Sequence, residues 1–232
     1  MAAFIAIEEL CKSYRRGQSE VRALDHVSLD IKAGSFTALM GPSGSGKTTL
    51  LNIVAGIDYP DSGRVLVDGR DVLGMSESER TAWRTRSIGY VFQFHNLMPV
   101  LTAYENIELP LLLLPLSARE RREHTLAALE AVGLLDRQDH DPRQLSGGQA
   151  QRAAIARAIV TDAKILLVDE PTGNLDAESA AEVMTLLARL GREQHKTILM
   201  VTHDGSAAAY AGRVLRLEKG RLKSQEVPAH AP

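Results

Sequence analysis

Short, almost uncharged apolar runs alternate along the chain with longer amphipathic stretches, the rhythm of strand and helix in turn. Phe36–Met40 (FTALM), Ile88–Phe92 (IGYVF), Ile165–Val168 (ILLV) and Ile198–Val201 (ILMV) carry no charge and are too short for helices. Runs of this kind predict strands buried on both faces, as in a parallel sheet. The N-terminus reads differently. Phe4, Ala6 and Glu8 alternate, with Leu29 and Ile31 nearby, which predicts antiparallel strands at one edge of the sheet. Val214–Leu222 (VLRLEKGRL) predicts a closing hairpin that turns at Lys219-Gly220.

Helical spacing fills the intervals. After Asp176, the residues Val183, Leu186, Leu187 and Leu190 recur at helical spacing and predict an amphipathic helix. Between Gln93 and Thr161 there is little strand signal. Ser117 followed by Glu120 has the spacing of a capping box, Leu126, Leu129 and Val132 share one helical face, and Gly133 is placed to end that helix. From Ser146 to Ile159 the pattern is again helical, with Ile155 and Ile159 four apart. The pattern predicts an α/β core at residues 1–93 and 162–223, a helical insert at 94–161, and a short polar tail at 224–232.

Composition narrows the class. With 232 residues, 44% of them hydrophobic, the chain has material for one large domain or a core with a subdomain. A formal net charge of -2 lacks the basic footprint of a nucleic-acid partner. Cys11 is the single cysteine, which excludes an internal disulfide and a cysteine-based metal cluster. The N-terminal MAAFIAIEEL carries acid early, unlike a secretory signal. The most apolar run, Leu109–Leu116 (LPLLLLPL), is interrupted by Pro110 and Pro115, whereas a membrane span takes about 20 apolar residues. Any membrane role is expected to be borrowed from a separate chain.

The candidate chemistry begins directly after the first buried run. Gly41, Pro42, Ser43, Gly44, Ser45, Gly46, Lys47 and Thr48 spell GPSGSGKT, the G-x-x-x-x-G-K-[ST] pattern. Its glycines let backbone N–H groups turn inward around phosphate oxygens. The helix that follows, with Thr49, Leu50, Leu51 and Ile53, adds its positive N-terminal end. Lys47 is a mobile cation for the β- and γ-phosphates of ATP, and the Thr48 hydroxyl is a ligand for Mg²⁺. Taken alone the motif is also a glycine turn; a buried strand before it and an apolar-periodic helix after it favour the phosphate cradle. Lys164–Pro171 (KILLVDEP) delivers Asp169 and Glu170 at the C-terminal end of a strand, the usual ligand crevice of a parallel sheet. Successive residues there point to opposite sides and suit different tasks: Asp169 to hold Mg²⁺, Glu170 to act as general base on the attacking water.

Leu145–Arg152 reads LSGGQAQR. Ser146 and Gln149 have capping-box spacing, and the same segment resembles the signature of the ATP-binding-cassette (ABC) ATPases. It lies between the phosphate motif and the acid pair, as the family has it. Further positions match one by one. Tyr14, in KSY, resembles the aromatic that stacks on adenine. Gln93, in VFQ, resembles the glutamine that meets Mg²⁺ and faces a transmembrane partner. Asn174-Leu175-Asp176 resembles the loop that crosses between protomers, and His203, in VTHD, the histidine that contacts the γ-phosphate.

The resemblance spans about Phe4 to Leu222. It implies a P-loop NTPase (RecA-like) core with a parallel central sheet, an N-terminal antiparallel β edge and an inserted α-helical subdomain. It also implies an ATPase in which two copies pack head to tail. Ser146, Gly147, Gly148 and Gln149 of one copy would then face the nucleotide on the other's Lys47. An integral membrane permease on a separate chain is expected to dock near Gln93–Leu101, with the ATPase on the inner, cytoplasmic face of a bacterial membrane. The Leu111–Leu114 run belongs either to that contact or to the insert's own core. Within the family, GPSGSGKTTLLN, VFQFHNLMP, ENIELPL and DEPTGNLD look like the subgroup of macrolide exporters, lipoprotein-releasing ATPases and the cell-division ATPase. The implied work is export or lipoprotein and lipid extraction, or, in the alternative, mechanical signalling to cell-wall enzymes. Ala150 and Ala153 depart from the commoner glutamine and valine, and Tyr104 and LLLLPL are less typical of the subgroup.

Overall fold

The computed structural model describes residues 3–17 and 19–226. In chain order the elements are β1 (Ile5–Arg16), β2 (Ser19–Ile31), β3 (Phe36–Met40), α1 (Lys47–Val54), β4 (Ser62–Val67), β5 (Arg70–Asp71), α2 (Glu77–Ser87), β6 (Ile88–Val91) and α3 (Ala103–Glu108). They continue with α4 (Ala118–Ala131), α5 (Gly147–Ile159), β7 (Ile165–Asp169), α6 (Ala177–Glu193), β8 (Thr197–Thr202), α7 (Gly205–Ala208), β9 (Arg213–Glu218) and β10 (Arg221–Glu226).

The four buried runs form adjacent strands of one sheet, ordered β10-β9-β3-β8-β7-β6. β3, β8, β7, β6 and β9 run parallel, and β10 returns antiparallel to β9. Every residue of β7 and β8 is buried, which accounts for their lack of alternation. The two faces still divide the side chains with period two. Leu39, Leu167, Leu199 and Val201 face one core with α1, whereas Ala38, Leu166, Val168, Ile198 and Met200 face the other with α6 and the helical insert. Register is what positions the functional residues. Met40 pairs with Thr202, and Asp169 with Val201, so the C-terminal ends of β3, β8 and β7 finish at one edge.

The N-terminal strands are antiparallel, with Ile5 opposite Ile31 and Ile7 opposite Leu29. They are not an edge of the parallel sheet. They join β4 and β5 in a second sheet, ordered β2-β1-β4-β5, and α1 packs between the two sheets in a single core. The phase also differs from expectation: Ile5, Ile7 and Leu10 are buried, while Phe4 and Ala6 are only partly so. A register shift between Ile7 and Leu10, with Glu9 at φ 47, swaps odd for even positions. A bulge of this kind breaks the alternation that sequence reading relies on.

The helical segment holds no strand among the described residues between Gln93 and Thr161. Ser117 caps α4 as its spacing predicts: its hydroxyl accepts from Glu120 N–H at 3.3 Å, and Glu120 Oε2 accepts from Ser117 N–H at 2.7 Å. Gly133, at φ 67, follows the helix end. α6 begins at the Asp176 cap. The leucine run divides. Leu111 is fully buried in a 3-10 turn and Leu114 packs on the core, but Leu112 and Leu113 are exposed.

Several elements lie beyond the sequence reading. α2 and α3 each start with a capping box, Ser76–Glu79 and Thr102–Glu105. α2 buries only Arg80 and Trp83, so it has almost no apolar period to detect. The hairpin turns at Lys219-Gly220, yet β10 extends through Ser224–Glu226, the first part of the expected tail, because those residues pair with β9. The remainder of that tail, 227–232, lies outside the described residues.

One buried polar side chain holds the segment after β6 in place. Asn106 accepts from Met98 N–H at 2.6 Å and donates to the carbonyls of Met98, Leu101 and Thr102 at 3.1, 3.0 and 2.9 Å. It is fully buried. Asn106→Ala is expected to cost roughly 2–4 kcal/mol, because it strands a backbone donor and several acceptors away from water. Urea denaturation measures this; an unchanged midpoint at unchanged slope means that those backbone groups find other partners.

Candidate functional site

The loop between β3 and α1 is shaped by close approach as much as by flexibility. A Cβ on Gly41 would stand 2.1 Å from Leu217 O, and one on Gly46, at φ 102, 2.1 Å from Ala23 O. Backbone from β9 and β2 therefore presses on both ends of the loop, and only glycine fits there. Its tip, Pro42–Gly44, is exposed. Lys47 is buried and folds back over the loop, donating to Gly41 O at 2.7 Å and Pro42 O at 3.2 Å. The Ser45 hydroxyl is buried without a hydrogen-bond partner. An anion seated in the loop meets these unsatisfied or loosely engaged donors, so the residues present fit a nucleotide triphosphate.

The strand edge brings the acids to that loop. Thr48 Oγ1 donates to Asp169 Oδ1 at 3.2 Å, across 121 positions of chain. Burial raises the Asp169 pKa, and the Glu170 charge adds to the rise, against the lowering effects of the Thr48 bond and the Lys47 charge. A divalent cation would relieve this buried carboxylate, and a hydroxyl beside it is a hard oxygen donor of the kind Mg²⁺ takes. Glu170 adopts φ 45 while its N–H still donates to Val201 O at 3.0 Å. The chain thus turns without leaving the sheet. Glu170 Oε1 lies 3.6 Å from Lys47 Nζ, and Oε2 lies 2.9 Å from His203 Nδ1 and accepts from His203 N–H at 3.2 Å. The glutamate thus bridges the lysine and the histidine through its two carboxylate oxygens.

Gln93 stands beside the turn that follows Glu170: a Cβ at Gly173 would lie 3.7 Å from Gln93 Nε2. Tyr14 reaches α1, its hydroxyl 3.5 Å from Thr49 Oγ1.

The signature residues sit elsewhere. Ser146 Oγ accepts from Gln149 N–H at 3.2 Å, and Gln149 Oε1 accepts from Ser146 N–H at 2.9 Å, closing a capping box at the start of α5. A Cβ on Gly147 would approach Leu175 Cδ2 at 3.3 Å, and one on Gly148 would meet Ser179 Oγ at 2.9 Å. The signature therefore packs against the start of α6. Among the described residues, no hydrogen bond or ion pair joins Ser146–Gln149 to Gly41–Thr48 within the chain.

Sequence reading missed the residues that connect these parts. Arg157, within α5, donates to His95 O at 2.7 Å and Asn96 O at 2.6 Å. Burial lowers the pKa of Arg157 and of His95, which is also hydrogen-bonded to the Gly147 backbone. The loop after Gln93 is thereby fastened to both halves of the signature helix. An arginine flanked on both sides by alanine and isoleucine (AAIARAIV) was the available signal.

Comparison with known proteins agrees with this geometry. Residues 24–173 match the family model described as ABC transporter. The macrolide export ATP-binding/permease protein MacB of Brucella melitensis is 44% identical over 223 residues, which cover 96% of this chain and 34% of that protein. The chain thus spans about a third of the length of that relative. The lipoprotein-releasing system ATP-binding protein LolD of Chromohalobacter salexigens is 43% identical over 215 residues, 93% of this chain and 91% of LolD. The dimeric, post-hydrolysis structure of the ATP-binding cassette MJ0796, bound to ADP and Pi, superposes with a TM-score of 0.89 at 40% identity, covering 97% of this chain and 99% of that one. A family match over more than half of the chain, with relatives more than 40% identical over nearly all of it, makes this chain a member of the ABC transporter family.

Proposed function

We propose that this chain is the ATP-binding and ATP-hydrolysing subunit of a membrane-bound ABC complex that drives export or lipoprotein and lipid extraction through a separate permease. The observation that carries the reading is the bridge from Lys47 through Glu170 to His203 beside the Thr48–Asp169 pair. Gly41 to Thr49 hold the phosphates, with Lys47 exchanging its loop carbonyls for β- and γ-phosphate oxygens. Thr48, Asp169 and Gln93 hold Mg²⁺, which when bound neutralises charge on those phosphates. Glu170 takes the proton of the attacking water at a carboxylate oxygen, and His203 orients that carboxylate and contacts the γ-phosphate. Tyr14 stacks on the adenine.

The signature supports action in trans. Ser146, Gly147, Gly148 and Gln149 form a capped helix N-terminus, which favours an anion, yet they are unconnected to their own phosphate loop. The MJ0796 relative is dimeric in its ADP- and Pi-bound structure; in a head-to-tail dimer of this chain, these residues complete the partner's site. ATP then holds two surfaces together, and hydrolysis releases them. Residues 1–93 and 162–223 serve as the nucleotide-binding core, and 94–161 as the signature subdomain.

The loop after Gln93 exposes Phe94, Met98 and Val100. That apolar group, fastened to α5 by Arg157, suits docking of the permease and would carry its movement to the signature. Among the described residues no helix is long and apolar enough to cross a membrane. We place the subunit on the inner face of the cell membrane, held there by its partner. The lipoprotein-releasing and macrolide-export names of the relatives support this range of substrates.

Three experiments test the reading. Glu170→Gln is expected to retain ATP binding, to lower turnover by about 10²–10⁴-fold and to accumulate a nucleotide-bound dimer on size exclusion; normal hydrolysis removes the general-base role. Ser146→Arg should abolish hydrolysis while the monomer keeps its ATP affinity, and a parallel loss of monomer affinity would place the signature in cis. Affinity purification from the native membrane should recover a permease with few spans and a large extracytoplasmic domain. A many-span importer with a soluble binding protein refutes the export assignment, and a partner bound to cell-wall hydrolases favours mechanical signalling.

A further inference from the structure

The Tyr14 ring is held rather than free. Its hydroxyl donates to Asp58 Oδ2 at 2.5 Å, in addition to its approach to Thr49. Asp58 follows α1 and is itself fixed, its N–H donating to Asn52 O at 3.2 Å. Its other oxygen, Oδ1, accepts from Lys12 Nζ at 3.2 Å and from Tyr59 N–H at 2.7 Å. Lys12 Nζ donates also to Tyr59 O at 2.6 Å and lies over the Tyr14 ring, 5.0 Å from its centroid. Lys12 and Tyr14 both belong to β1, and the ammonium-over-ring contact places them on one side of it.

One carboxylate thus joins three things: the tip of an aromatic ring, the ammonium above that ring, and the segment leaving the phosphate-loop helix. The Tyr14 hydroxyl stays protonated and able to donate, since burial and the Asp58 bond both raise its pKa. Tyr14 as a residue is 40% exposed, so it retains a surface for a ligand. The ammonium lies over one ring face, so a planar group would take the opposite one.

We propose that Lys12 and Asp58 are positioning residues for the nucleobase: they lock Tyr14 to the end of α1, so that base and triphosphate are gripped by one rigid unit. The inference rests on the reading that Tyr14 stacks on adenine. Its physical basis is preorganisation. A ring already fixed at the stacking attitude loses no side-chain freedom when the base arrives, and its position relative to Lys47 is set through α1 rather than through β1 alone. Neither residue touches the phosphates, so the effect belongs to base affinity and not to the chemical step.

The test uses the full chain, with ATP for turnover and inorganic tripolyphosphate as the base-free probe. Lys12→Met, Asp58→Asn and Tyr14→Phe are each expected to raise KM for ATP roughly five- to ten-fold, with kcat changed less than about two-fold. Tripolyphosphate affinity should stay unchanged. Lys12→Met combined with Asp58→Asn should do no more than the larger single change, as for residues acting through one contact. Thermal melts confirm that each variant is folded, and Tyr14→Phe and Asp58→Asn preserve side-chain shape for that purpose. Parallel loss of tripolyphosphate and ATP affinity overturns the proposal, because the latch would then act on the phosphate loop. If the three variants leave KM unaltered while Tyr14→Ala raises it, the ring stacks without the latch: the proposal fails and the stacking role stands. If Tyr14→Ala is silent as well, the stacking role fails with it.

Discussion

The register of three parallel strands is the constraint on which the site depends. Thr48 and Asp169 touch only because β3 and β7 flank β8 with their C-terminal ends level, Met40 against Thr202 and Val201 against Asp169. A slip of one residue would exchange the faces of every side chain in a strand, since the period is two. That slip is opposed by both cores at once. Leu167 and Leu199 belong to one, Leu166 and Ile198 to the other, and none tolerates the opposite environment without repacking. The precision of the site is therefore inherited from hydrophobic packing well away from any phosphate.

On that frame the site assembles a charge pattern that is incomplete alone. Two carboxylates, Asp169 and Glu170, are buried beside one lysine. Desolvation already disfavours ionised Asp169, and removing a charge from water is costly unless it is paired. A buried hydroxyl on Ser45 lacks a partner. The arrangement gains from a ligand that brings both an anion for the loop and a cation for the acids. Glycine completes the geometry from the other side: Leu217 and Ala23 carbonyls lie where side chains on Gly41 and Gly46 would be. The loop is held by backbone from both sheets, and its shape does not await the nucleotide.

Connections between regions run through charged side chains: an arginine on α5, a lysine on β1 and an aspartate on the loop after α1. Arg157 ties the loop after Gln93 to the signature helix through two carbonyls. Asp58 ties β1 to the exit of α1. Charge-assisted hydrogen bonds of this kind are directional and stronger than neutral ones, so motion at one end is carried rather than absorbed.

Much of this was legible in the chain itself. The buried runs, the capping residues Ser117 and Ser146, the hairpin turn and the GPSGSGKT, VDEP and LSGGQ motifs are local, and local chemistry fixes local structure: a period, a cap or a glycine acts on its own neighbours. Other features were not legible, each for a physical reason. The bulge at Glu9 moves the buried phase of β1 from Ile7 to Leu10, and the separate second sheet followed from how α1 fills the space between layers. α2 has too few apolar positions to show a period. Arg157, Lys12 and Asp58 take their meaning from partners up to 62 positions away. The sequence by itself determined the buried strands, the periodic helices and the motifs from which phosphate and proton chemistry are proposed. Only the tertiary structure decided which of them meet, because long-range contact depends on strand register and layer packing, and those are properties of the whole core.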